Sequence, residues 1–137
     1  MKEVNSITAF LFSENNVLIL RRSRHVRSYQ NTWGGVSGII DKGRTDIEQA
    51  LLEIEEETGL ASSDIQLIKQ GEPQRIIDVS RNLIKVIHPF LFQVKDRNNI
   101  QINWEHSEFK WIKPGDIEDY QTMPKLKETL ERVLTLI

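Results

Sequence analysis

The spacing of apolar and polar positions divides the chain into strands, a helix, further strands and a last helix. Residues 6–12 (SITAFLF) and 17–21 (VLILR) are apolar and rich in strand formers, and a polar stretch at 13–16 separates them. That pattern predicts a β-hairpin with a polar turn. Residues 33–38 (WGGVSG) predict a short strand entering a glycine turn, where the backbone can take positive φ or approach a ligand closely. Runs at 65–70, 74–79 and 83–94 predict strands of a mostly antiparallel or mixed sheet. Pro89, inside the longest run, predicts a bulge or an edge there. Two short strands are expected at 100–104 and 109–112, around the polar stretch Glu105-His106-Ser107-Glu108. Pro114-Gly115-Asp116 predicts a turn or short helix. From Met123 onward, Leu126, Leu130, Val133, Leu134 and Ile137 fall on one stripe, predicting an amphipathic helix with Pro124 in its first turn. The order lacks strict βαβα alternation and carries no internal repeat.

In the middle of the chain the period changes. Ile47, Ala50, Leu51 and Ile54 follow the 3-4-3 spacing of one buried helix stripe. Thr45 or Asp46 can cap this helix, Thr45-x-x-Glu48 fits a capping box, and Gly59 followed by Leu60 supplies the stop. Glu53, Glu56 and Glu57 sit at i, i+3 and i+4, which groups their carboxylates on one side. They centre roughly 130° from the apolar stripe, so all three are expected to be free of the core. Glu48 and Glu55 fall on the opposite flank and are read as solvent-facing. Like charges so placed repel by about 0.2–0.5 kcal/mol per pair on an exposed helix. Mg²⁺ or Mn²⁺, which prefer oxygen ligands, would reverse that cost. The glutamates alone fit a solvated acidic face; the glycine-bearing loop before them favours a cation site.

Composition narrows the classes. Twenty acidic and 18 basic residues give a formal charge of −2, which gives no support for nonspecific nucleic-acid or acidic-lipid binding. Hydrophobic content of 39% with 28% charged residues fits one globular domain over 1–137. The absence of cysteine excludes disulfides, thiolate metal sites and cysteine nucleophiles. No stretch approaches the roughly 18 apolar residues of a membrane helix, and the N-terminal apolar run reads as a strand rather than a signal peptide. A soluble, cytoplasmic protein is the expectation. Arg21, Arg22, Arg24 and Arg27, with His25, make the densest positive patch. It is either a solvated loop or, beside an anionic substrate, a set of phosphate contacts. The acidic helix argues against a nucleic-acid reading of the same patch. Trp33 reads as core and His88 as structural.

Gly38, Glu53, Ile54, Glu56, Glu57, Gly59 and Leu60 fall without a gap on the pattern G-x5-E-x7-R-E-U-x-E-E-x-G-U, with U bulky and aliphatic. On these residues the chain resembles the Nudix (MutT-like) hydrolase family; Asp41, Gly43, Trp33 and the two glycines after it add to the likeness. The resemblance implies an α/β (α+β) fold, an α/β/α sandwich with a mixed sheet between helices. It implies metal-assisted attack of water on a diphosphate linkage, in a nucleoside diphosphate joined to another group. Glu53, Glu56 and Glu57 would hold one or more Mg²⁺ (or Mn²⁺) ions, with the Gly38 carbonyl as a non-acidic ligand. A further carboxylate, as ligand or base, is expected from 104–108: Glu105 in preference to Glu108, with His106, read as an exposed loop histidine, behind both. Arg21, Arg22, Arg24, Arg27 and Arg44 would contact a nucleotide-type small-molecule substrate, and a homodimer is expected by family analogy.

Two positions depart from the family pattern. Arg44 stands where the family has its first glutamate, and Leu52 where it has an arginine that orients a neighbouring carboxylate. Loss of both members of a charged pair leaves no orphan charge, and Arg44 is expected to supply part of the missing positive field. The departures keep a second reading open: a catalytically weak or inactive module that binds a nucleotide or a protein. Retention of a self-repelling glutamate cluster favours the enzyme. Residues that mark ADP-ribose and dinucleoside-polyphosphate subgroups are not in place, since Pro73 is displaced and 76–77 is Ile-Ile. The substrate stays open among nucleoside triphosphates, dinucleotides and sugar nucleotides.

Overall fold

The computed structural model describes residues 1–134, so Ile137 of the expected C-terminal stripe lies outside the described residues. The elements are β1 (Lys2–Ser13), β2 (Asn16–Arg22), β3 (Trp33–Gly34), β4 (Val36–Ile39), α1 (Asp46–Thr58), β5 (Ile65–Gln70), β6 (Gln74–Asp78), β7 (Leu83–Val94), β8 (His106–Ile112) and α2 (Leu126–Leu134). All eight strands join one mixed sheet. β1 pairs antiparallel with β2 and β4 and parallel with β7, from Lys2↔Leu83 to Phe12↔Gln93. β2 also carries β3 and β8.

Alternation along β1 explains the layers. Ile7, Ala9 and Leu11 face α1, whose Ala50 and Ile54 pack on them together with Leu18, Leu20, Phe90 and Phe92. Phe10 faces the other way, into a second core of Val17, Ile19, Leu91 and the α2 residues Leu126, Leu130 and Val133. Fully burying one such side chain contributes about 1.5–3 kcal/mol, so each helix is held mainly by its stripe. The result is the expected α/β/α sandwich. Among the described residues no helix is long and apolar enough to cross a membrane.

Four expectations need correction. Pro89 lies in a strand flanked on both sides, opposite Thr8 of β1. On the other flank β6 pairs β7 up to Ile87 and β5 pairs it from Phe90, so Pro89 falls in the gap between them. There its missing N–H leaves no ladder bond broken, and its carbonyl still accepts from the Gly71 N–H at 2.9 Å. Residues 100–104 form no strand: the Asn103 side chain accepts from the Glu105 N–H and its carbonyl from the His106 N–H, which turns the chain and starts β8 at His106. Pro124 precedes α2 by two residues because Lys125 has φ 64°, outside helical space. Gly38 sits inside β4, opposite Ile7, and not in a glycine turn.

Candidate active site

α1 forms where the sequence places it. The Thr45 hydroxyl accepts from the Glu48 N–H while the Glu48 carboxylate accepts from the Thr45 N–H, which closes the capping box. Gly59, at φ 77°, stops the helix, with its N–H on the Glu55 carbonyl. The last turns hold Glu53, Glu55, Glu56 and Glu57 and no basic residue. Negative charge at a helix C-terminus opposes the helix dipole. This end of α1 is therefore electrostatically unfavourable in isolation.

The three box glutamates are not equivalent. Glu56 is exposed, Glu53 is half-buried and Glu57 is 1% exposed. Glu57 is thus not free of the core: the His106 ring, at the start of β8, and the Ser37 backbone of β4 both lie against its carboxyl. Glu53 is fixed by Gln49, whose amide donates to Glu53 Oε1 at 3.0 Å while its Oε1 accepts from the Asp41 N–H at 3.0 Å. Gly38 lies beneath Glu53. A Cβ at that position would stand 2.4 Å from Glu53 Cδ, so only glycine leaves room for the carboxylate.

The other wall comes from the turn before β8. Glu57, Glu105 and His106 place their ligand atoms within 4.8 Å of one another. The His106 ring Nε2 is 2.8 Å from Glu57 Oε1. Glu105 is held by the Asn103 amide at 3.2 Å, and its carbonyl accepts from the Ser23 N–H at 2.8 Å. Glu108 lies elsewhere, paired with Arg21 at 3.1 Å. His106 is buried, contrary to the expectation of an exposed loop histidine. Gln49 and His106 carried no sequence signal of their own: one resembles any helix glutamine, and the other is buried only by long-range strand pairing.

Electrostatics follow the geometry. Burial pushes the Glu57 carboxyl well above its usual range, reinforced by a hydrogen-bonded Glu53 carboxyl and the charges of Glu105 and Glu53, and opposed by the Ser37 backbone. Burial also raises Glu53, with Glu56 and Glu105 adding to the rise and its hydrogen bonds opposing it. Burial and the charge of Arg22 lower His106 to about 4, so its ring is neutral near pH 7. With the proton on Nε2 the ring donates to an ionised Glu57 carboxylate; with Glu57 protonated the carboxyl donates to Nε2. Glu57 Oε2 is buried and has no hydrogen-bond partner. An orphaned carboxylate oxygen, two neighbouring carboxylates and the glycine cradle make an all-oxygen donor set that fits Mg²⁺ or Mn²⁺.

The expected arginines separate into groups. Arg24 and Arg27 are exposed, and Arg21 is engaged with Glu108. Arg44 pairs with Asp41 and is not among the main influences on Glu53 or Glu57. Arg22 does reach the site: it is half-buried, and Glu57 and Glu105 both act on its charge. It also lines a cleft of about 280 Å³ together with Tyr29, Gly35, Ser37, Ile76 and Lys85. Lys85 is lowered by burial and by Arg81, with Arg22 acting in the same direction and Asp78 against it. Its ammonium stands 5.1 Å from the Tyr29 ring centroid.

A family model described as the NUDIX domain matches residues 2–133. Among curated relatives, the mouse (Mus musculus) bis(5′-nucleosyl)-tetraphosphatase [asymmetrical] is 31% identical over 100 residues, covering 72% of this chain and 67% of that protein. The RNA pyrophosphohydrolase of Pelagibacter ubique is 26% identical, covering 93% and 88%. Among solved structures, a C. elegans Ap4A hydrolase binary complex superposes with a TM-score of 0.75 at 16% identity, covering 96% of this chain and 94% of the other. With the family match spanning residues 2–133, nearly the whole chain, this chain belongs to the Nudix hydrolase family.

Proposed function

We propose that the chain is a cation-dependent hydrolase of a diphosphate linkage in a nucleoside diphosphate joined to another group. The observation that carries this is the buried, unpartnered Glu57 Oε2 among Glu53, Glu105 and the Gly38 cradle, beside a cleft lined by Arg22 and Lys85. Glu53, Glu56 and Glu57, with the Gly38 carbonyl, hold the cation. When bound, Mg²⁺ or Mn²⁺ neutralises the phosphate oxygens and lowers the pKa of water. Glu105, less buried than Glu57, accepts the proton of the attacking water. Water oxygen bonds to phosphorus, the bridging P–O bond breaks, and its electron pair leaves on the departing phosphate. Arg22 and Lys85 bind further anionic oxygens; an anion relieves the repulsion between these two cations as well as pairing with each. Tyr29 and Ile76 offer apolar surface to the organic part of the substrate. The cationic wall and the relatives' names support testing nucleoside polyphosphates first.

The test is a hydrolysis screen over nucleoside triphosphates, dinucleoside polyphosphates, capped RNA ends and sugar nucleotides, with Mg²⁺ or Mn²⁺. Turnover that needs metal and is lost in Glu57→Gln and Glu53→Gln is expected. Tight nucleotide binding with no turnover under any condition would establish the binding-module reading instead.

A further inference from the structure

α1 carries no lysine or arginine, so no cation on the helix itself can hold its carboxylates in place. Glu53 has an intrahelical partner in Gln49. Glu57 has only the Glu53 carboxyl beside it on its own helix and is held from β8. The ring Nε2 of His106 lies 2.8 Å from its Oε1, with side-chain exposures of 3% and 1%. The histidine is itself immobilised: its backbone pairs opposite Arg22 in the sheet, and its N–H donates to the Asn103 carbonyl at 3.1 Å. A hydrogen bond to an ionised group in such a dry setting is worth more than one at the surface. Because Oε1 is engaged, Oε2 is the oxygen left without a partner.

We infer that His106 is the positioning residue of this site: its Nε2–H fixes the Glu57 carboxylate so that Oε2 is turned toward the divalent cation it shares with Glu53. The inference rests on the cation-dependent reading proposed above. With Nε2 committed to Glu57, the ring acts on the cation through that carboxylate, while its other nitrogen, Nδ1, is buried without a partner.

Three substitutions separate the possibilities. His106→Gln returns an amide N–H close to the place of Nε2, His106→Asn reaches only the level of Nδ1, and His106→Phe keeps a ring without a donor. The readout is Mn²⁺ affinity of the substrate-free protein, from the loss of the free-ion electron paramagnetic resonance signal, with unfolding midpoints measured in parallel. In His106→Phe and His106→Asn, Mn²⁺ affinity is expected to fall about 10–100-fold, with His106→Gln within about threefold of wild type. At saturating metal the loss should appear in kcat with KM little changed. Equal affinity in all three variants and wild type would overturn the inference. So would a His106→Gln loss as large as that of His106→Phe, which would make the imidazole a ligand or a packing element. If His106→Phe does not fold, the contrast between Gln and Asn decides: no difference between them overturns the inference. A wild-type protein that binds no Mn²⁺ overturns both this inference and the proposed function. Normal binding and turnover in His106→Phe overturns this inference alone.

Discussion

The two helices cover opposite faces of one sheet, yet they bury different things. α2 buries Leu126, Thr129, Leu130 and Val133, and its polar member Thr129 is satisfied by Gln74 and by the Lys125 carbonyl just before the helix. α1 buries Gln49, Ala50, Ile54, Glu57 and Thr58, and one carboxylate oxygen among them has no partner. By the rules that stabilise proteins, α2 is the better-made helix. Burying a carboxyl in α1 costs stability and shifts its titration, and that cost becomes intelligible if a cation and a substrate complete the site.

The contrast can be broken in four places. The largest effect is expected at Glu57. Glu57→Gln should lower turnover on the order of 10³-fold while leaving the metal-free fold as stable or more so, as measured by kinetics and thermal unfolding. The pH dependence has a definite sign. A carboxyl raised in the folded state adds stability that is complete below its unfolded value, near the usual 4.5, and is lost as pH rises through the folded value. Metal-free wild type should therefore lose midpoint relative to Glu57→Gln as pH rises above the usual carboxyl range, and Mn²⁺ should abolish that difference. An identical pH profile for the two proteins would refute the burial cost assigned to Glu57.

Leu130→Ala is next and acts the other way. It should cost about 2–5 kcal/mol in denaturant unfolding while kcat of the remaining folded protein stays near wild type. A third substitution, Gly38→Ala, should lower turnover about 10²-fold with little change in unfolding midpoint, because the added Cβ displaces the flexible Glu53 side chain and not backbone. Unchanged kinetics there would mean that the position of Glu53 is immaterial. The smallest effect belongs to the start of α1, where Thr45→Ala should remove about 1 kcal/mol of stability through the capping box and leave metal affinity unaltered.

Local pattern was enough for local structure. The capping box at Thr45, the stop at Gly59 and the stripe of Ala50 and Ile54 are fixed by residues within a few positions of one another, and each stands where the spacing put it. Periodicity also grouped Glu53, Glu56 and Glu57. It could not tell them apart, because Glu57 is enclosed by residues distant in sequence, Ser37 of β4 and His106 of β8. The same limit explains His106, which looks like an exposed loop residue until β8 pairs with β2 and turns it inward. The pattern likewise does not single out the pair of Arg44 with Asp41. Lys85 gave no signal at all, since its cleft is assembled from β1, β4, β6 and the turn before α2.

The pairing of β2 with β8 also has a bearing on time. Glu105 reaches the carboxylates only through contacts that close a loop from Ser23 and Arg22 to the start of β8. Such a contact, distant in sequence, carries a larger loop-closure cost than the hairpin or α1. On a growing polypeptide, α1 emerges with its glutamates well before β8 does. Any chemistry that needs both Glu57 and Glu105 therefore waits for the docking of β8.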